Sequence, residues 1–137
     1  MSNRINHLAV FVAAIVFFAW GALWFTVFGL TWAHLVGIDP ATVKPSAGPY
    51  VLSFFMGWIL AYTAAIALTR HPEDQTVRQG VSFALFMSIG LYATMLLNQY
   101  TFEQRPIGLW LIDAGYVVIG FAIVGAIVGG WKKRGAS

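Results

Sequence analysis

Four apolar stretches, at about residues 5–26, 50–68, 77–97 and 107–131, dictate what this chain can become. About 20 residues rising 1.5 Å apiece cross a hydrocarbon core of about 30 Å, and each stretch is about that long. Turn and cap signals separate them: Gly37-Ile38-Asp39-Pro40 with Pro45 and Pro49, then His71-Pro72-Glu73-Asp74, then Glu103-Gln104-Arg105-Pro106. Charge agrees with the pattern. Only 9% of the 137 residues are charged, whereas a soluble domain carries about 25%, so a water-facing surface could not be clothed. The expected fold is all-α: one polytopic domain over residues 1–137, a bundle of four transmembrane helices. A short interfacial helix is expected at about 28–36, where Phe28, Trp32, Leu35 and Val36 gather near one face.

Lysine and arginine counting orients the bundle. The N-terminus, second loop and C-terminus share a side and hold Arg4, Arg70, Arg78, Lys132, Lys133 and Arg134, while the other side has Lys44 and Arg105. Both termini should face the cytoplasm, in a bacterial inner (plasma) membrane. The first stretch reads as a retained helix and not a cleaved signal, because Ala19-Trp20-Gly21 is a poor cleavage site.

Composition also excludes chemistry. There is no cysteine, hence no thiolate nucleophile and no disulfide framework. His7, His34 and His71 lack metal-ligand spacing, and no phosphate-binding glycine loop occurs. The expectation is a protein that is not an enzyme, with no cofactor and no metal. The basic residues sit at membrane boundaries, so the net charge of +3 reads as topology and not as nucleic-acid binding.

Lipid gives no hydrophobic drive for one helix to pack on another, so small residues at four-residue spacing mark contact faces. Such rows are Ala9/Ala13, Ser53/Gly57/Ala61/Ala65, Gly80/Ala84/Ser88 and Ala122/Ala126/Gly130, with Gly125 and Gly129 beside the last. Packing within one bundle is the simpler use. A homo-oligomer or another membrane protein is the alternative partner.

Polar groups inside the membrane are costly and therefore informative. Asp113 is the one ionisable side chain well inside a stretch, six residues past Ile107 and so about 9 Å below the outer boundary. Tyr116 lies one turn deeper, and Gly90, Thr94 and Asn98 form a row that reaches the same level. Trp24 and Trp58 approach that depth from the first two stretches. Asp113, Tyr116, Asn98, Thr94, Trp24, Trp58 and Arg105 are thus the candidate ligand-binding residues, for a small cation, an amine or a lipid head group. Asn98 can face Asp113, and Arg105 is the preferred counter-ion. Trp32, Tyr50, Tyr100, Trp110 and Trp131 read as belt aromatics at the membrane surfaces.

The run from Asn98 to Trp131 resembles the bacterial membrane family called domain of unknown function 1761. The matching motifs are Tyr100, Phe102-Glu103-Gln104-Arg105-Pro106, Ile112-Asp113-Ala114-Gly115-Tyr116 and the glycine-rich Gly120–Gly130. Asn6-His7-Leu8-Ala9-Val10, Gly21-Ala22-Leu23-Trp24-Phe25, Phe28-Gly29 and Trp32 extend it to most of the chain. The resemblance implies a four-span membrane protein and no particular activity. In that family asparagine is common where this chain has Asp113, which implies that a charge there is not obligatory.

The expected role is a small membrane-resident binding or accessory protein using the outer-half cluster. The rival reading is a transporter or channel component with Asp113 as its cation or proton site.

Overall fold

In lipid, each spanning segment must satisfy its own backbone hydrogen bonds, and the four apolar stretches do so as helices. The computed structural model describes residues 4–71, 73 and 75–134. Pro72 and Asp74, two of the turn residues named above, lie outside the described residues. The spans are α1 (His7–Val36), α2 (Gly48–Thr69), α3 (Val77–Phe102) and α4 (Ile107–Gly130), each long and apolar enough to cross a membrane. A single 3-10 turn, Pro40–Thr42, sits in the first loop, capped by the Asp39 carboxylate accepting from Ala41 N–H.

Helix ends follow the local chemistry. The Asn6 side chain accepts from the Leu8 and Ala9 N–H groups at 3.1 Å and starts α1. Gly37, at φ 88°, ends it. There Ile38 N–H donates back to Ala33 O at 2.9 Å and Gly37 N–H to His34 O, a Schellman closure. The same closure ends α3, with Gln104 at φ 57° and Arg105 N–H donating to Tyr100 O. Thr76 caps the start of α3 through Gln79 N–H.

The separate interfacial helix expected at 28–36 does not form. Those residues are the last turns of α1, which runs unbroken for 30 residues. No proline interrupts the sequence between Thr26 and Val36, and Gly29 keeps helical geometry, so nothing breaks the ladder before Gly37. At 1.5 Å per residue α1 is about 45 Å long. It must tilt or emerge beyond a core of about 30 Å.

Helix α4 is the hub and touches the other three spans. Its glycines divide the labour. Gly115 and Gly120 admit the rings of Trp24, Phe17 and Trp20 from α1, while Gly125 and Gly129 admit the backbone of α3 at Thr76 and Gly80. Of the expected small-residue rows, Ala9/Ala13, Gly57/Ala61/Ala65 and Gly80/Ala84/Ser88 are buried, whereas Ser53 is exposed. On α4, Gly125 and Gly129 are buried against the α3 backbone, Gly130 lies against the Val77 side chain of α3, and Ala122 and Ala126 are half-buried. Removing two β-carbons matters most where two backbones meet. Outside this small-residue core, large apolar side chains such as Leu30, Phe86 and Phe102 are exposed, as lipid-facing residues are.

The start of α1 and the end of α4 share one end of the bundle. Asn6 Nδ2 donates to the Trp131 and Lys132 carbonyls, both at 3.5 Å, and the buried Gln75 Nε2 donates to Val128 O at 3.2 Å. That end carries six of the eight basic residues, and the opposite loops carry Lys44 and Arg105.

Candidate functional site

Three tryptophans of α1 reach across to α4. Trp20 and Trp24 are four residues apart on one face, and their indole N–H groups donate to the Tyr116 and Ile112 carbonyls, each at 3.1 Å. These acceptors are also four residues apart, as antiparallel neighbours require. Farther out, Trp32 Nε1 donates to Asp113 Oδ1 at 2.9 Å. From α3, the Tyr100 hydroxyl donates to Asp113 Oδ2 at 2.5 Å. Each carboxylate oxygen therefore has one neutral donor. Phe25 packs edge-on against both Trp32 and Tyr116, with centroids 5.9 and 5.2 Å away. The half-buried Asp113 thus sits in an aromatic surround.

Arg105 is not the counter-ion of Asp113. Its Nε donates to Glu103 Oε1 at 2.5 Å, and its guanidinium lies over the Tyr100 ring, 5.4 Å from the centroid. The reason is the αL turn at Gln104, which turns the chain outward and leaves Glu103 two residues away as the nearer carboxylate. Gln99 Nε2 also donates to Glu103, at 3.0 Å. Gln99 foremost, and Arg105 after it, hold the Glu103 carboxyl below its ordinary range. Among the described residues, no basic side chain contacts Asp113.

Asn98 and Thr94 are not brought to Asp113 either. Residues Ser88–Ala93 form a π-helical turn within α3. One extra residue in a turn rotates everything after it by about 100° relative to regular helix. Thr94 and Asn98, which follow the turn, are exposed, and so is Gly90 within it. Thr94 Oγ1 satisfies itself on Ile89 O at 2.9 Å. In exchange, Trp110 Nε1 of α4 donates to Ala93 O, at the end of the wide turn, at 2.9 Å.

Of the other candidates, Tyr116 joins the cluster as a ring partner of Phe17 and Phe25, and its hydroxyl lies near Gly21. Trp24 lies beside the site, bonded to the backbone one residue before Asp113. Trp58 packs with Phe11, Phe54 and Phe55 between α1 and α2, where its buried indole N–H has no partner. The residues that sequence reasoning missed are Trp32, Tyr100 and Trp110, read as belt aromatics. Only the i, i+8 relation of Trp24 to Trp32 hinted that Trp32 could turn inward.

Among the described residues, no group of three histidine or acidic side chains could hold a metal ion. What the arrangement offers is one carboxylate, aromatic faces and neutral donors.

A family model described as "Protein of unknown function (DUF1761)" matches residues 8–129. The chain belongs to this family. No curated protein and no solved structure matches it. As a DUF1761 protein it carries the whole aromatic surround within the matched segment, from Trp20 through Tyr116. The Phe102–Pro106 loop of this DUF1761 chain is the closed turn that directs Arg105 away from Asp113.

Proposed function

We propose that this DUF1761 protein is a non-enzymatic membrane protein that binds a small cation or an amine head group at Asp113. One observation carries the reading. A half-buried carboxylate is held by two neutral donors, Trp32 and Tyr100, and no basic side chain of the described residues touches it. Ionisable groups at membrane depth are costly and mark ligand or ion sites. The aromatic faces suit an ammonium ion, whose attraction to a ring is worth about 0.5–2 kcal/mol. The test is thermal stability of the purified protein against sodium and tetramethylammonium. Either ion should raise the Tm of the parent and leave Asp113→Asn unmoved. Equal responses of the two proteins would end this reading.

A second reading is a transporter or channel component, working as a homo-oligomer, with Asp113 as its cation or proton site. The π-helical turn beside the cluster favours it, since such turns recur at functional sites. Flux into proteoliposomes separates the two readings. We also propose that both termini face the cytoplasm of a bacterial inner membrane, on the strength of the six-to-two distribution of basic residues between the bundle ends.

A further inference from the structure

Below Asp113, on the lipid-facing side of the bundle, α2, α3 and α4 leave a groove of about 340 Å³. Leu60, Met87, Leu91, Tyr92, Val117 and Phe121 line it, together with Ser88, whose hydroxyl is already bonded to Ala84 O at 2.7 Å. Nothing in that lining offers a free hydrogen-bonding group except the Tyr92 hydroxyl. The relation to the cluster above is fixed by helix geometry. Asp113, Val117 and Phe121 are spaced i, i+4, i+8 on α4, so the carboxylate heads the very row of side chains that floors the groove. From Asp113 to Phe121 is about 12 Å along the axis. Leu60, Met87 and Phe121 all lie more than ten residues from the outer ends of their helices, which puts the groove near the middle of the bilayer.

We propose that the ligand of this site is a lipophilic amine, its ammonium group at Asp113 and its alkyl chain in the groove, entering sideways from the bilayer. The inference rests on the Asp113 reading above and names its ligand class. Charge complementarity selects the head: a carboxylate that no basic side chain of the described residues touches, with the rings of Trp32 and Tyr100 on it and Phe25 against Trp32. The apolar lining selects the tail. An inorganic cation would leave the groove unexplained. A zwitterionic phospholipid would place its phosphate beside the carboxylate, with no basic side chain there to offset it. Lipid is as apolar as the groove, so the tail gains no transfer energy on leaving it. Its contribution is fit and placement, and a side chain that fills the groove should expel it.

The experiment uses the full chain in lipid nanodiscs and reads apparent affinity from thermal stabilisation at a stated mole fraction of amphiphile. The probes are dodecyltrimethylammonium, dodecanol as the uncharged chain, tetramethylammonium as the head alone, and phosphatidylethanolamine. Leu91→Trp fills the groove from an exposed position, and Ile89→Trp, exposed on the same helix but outside the groove, controls for the added ring. Dodecyltrimethylammonium should bind the parent, lose about tenfold or more in Asp113→Asn, and lose about tenfold in Leu91→Trp but not in Ile89→Trp. Tetramethylammonium should be unaffected by Leu91→Trp. If Leu91→Trp binds the long-chain amine as the parent does, the groove proposal falls while the Asp113 reading stands on the tetramethylammonium result. If Asp113→Asn changes neither amine, both fall. Binding of dodecanol or phosphatidylethanolamine as tight as that of the amine would overturn the ligand class.

Discussion

Gly80 of α3 and Gly125 of α4 meet backbone to backbone. A β-carbon on Gly80 would run into the Gly125 carbonyl, with its carbon only 2.7 Å away, and one on Gly125 would run into the Gly80 carbonyl in return. Close approach of this kind is how helices associate without a hydrophobic drive, through packing alone. It also sets the register of α3 on α4, and so decides which side chains of α3 can reach Asp113.

Gly80→Ala or Gly125→Ala should therefore destabilise the bundle, by about 1–3 kcal/mol or more, because backbone cannot step aside as a side chain can. Gly29→Ala is the control: a β-carbon there meets nothing within 4 Å. Melting curves in detergent decide the matter. Equal Tm values for the Gly80 and Gly29 variants would contradict the crossing.

Arg105→Gln and Asp113→Asn should act almost independently, since the two side chains make no direct contact. Arg105 is bound to Glu103 and Asp113 to Trp32 and Tyr100, and the two share only the Tyr100 ring, over which Arg105 lies without touching the carboxylate. Independent sites add to within about 0.3–0.5 kcal/mol, so a double-mutant cycle on stability should return a coupling no larger than that. The pair Tyr100→Phe and Asp113→Asn shares a hydrogen bond and should couple by about 0.5–3 kcal/mol. A larger coupling for the first pair than for the second would reverse the assignment.

Trp110→Phe tests the π-helical turn. The substitution keeps an aromatic ring, though a smaller one, and removes the donor to Ala93 O, a loss worth about 1 kcal/mol net. Amide exchange should quicken over Ser88–Ala93 while the Gly80 region is unchanged. Uniformly faster exchange along α3 would mean that the turn has no local dependence on this bond.

Acid should loosen the loop between α3 and α4. A carboxyl held below its ordinary value contributes stability that is present above the unfolded value, about 4.3 for glutamate, and lost as pH falls through the lower folded value. Glu103 is such a group, through Gln99 and then Arg105. Because it is solvent-exposed, the effect on Tm is small. Glu103→Gln should flatten the acid side of the Tm profile, and parallel profiles for parent and variant would show that the contact carries no stability.

Topology is open to a direct measurement. A periplasmic phosphatase fused after Ser137 should be inactive and one inserted in the loop at Lys44 active, as expected if the bundle end rich in basic residues faces the cytoplasm. The opposite pair of activities would invert the orientation.

The four spans were legible in the sequence because length and hydropathy, the quantities that lipid tests, are written residue by residue. The caps at Asn6 and Thr76 and the glycine stop at Gly37 are equally local. Asp113 stood out for the same reason, as an ionisable group where lipid penalises one. Its partners were not legible. The choice of Trp32 and Tyr100 over Asn98 and Arg105 depends on the π-helical turn, which rotates the outer part of α3, and on the αL turn at Gln104, which sends Arg105 to Glu103. That Gly125 and Gly129 of α4 meet the α3 backbone depends on how the two backbones cross. The sequence by itself determined what must lie in the membrane, since transfer from water to lipid is a property of each residue and its near neighbours. Only the tertiary structure decided what meets Asp113, since contacts between helices are set by crossing and rotation, which residues far apart in the chain fix together.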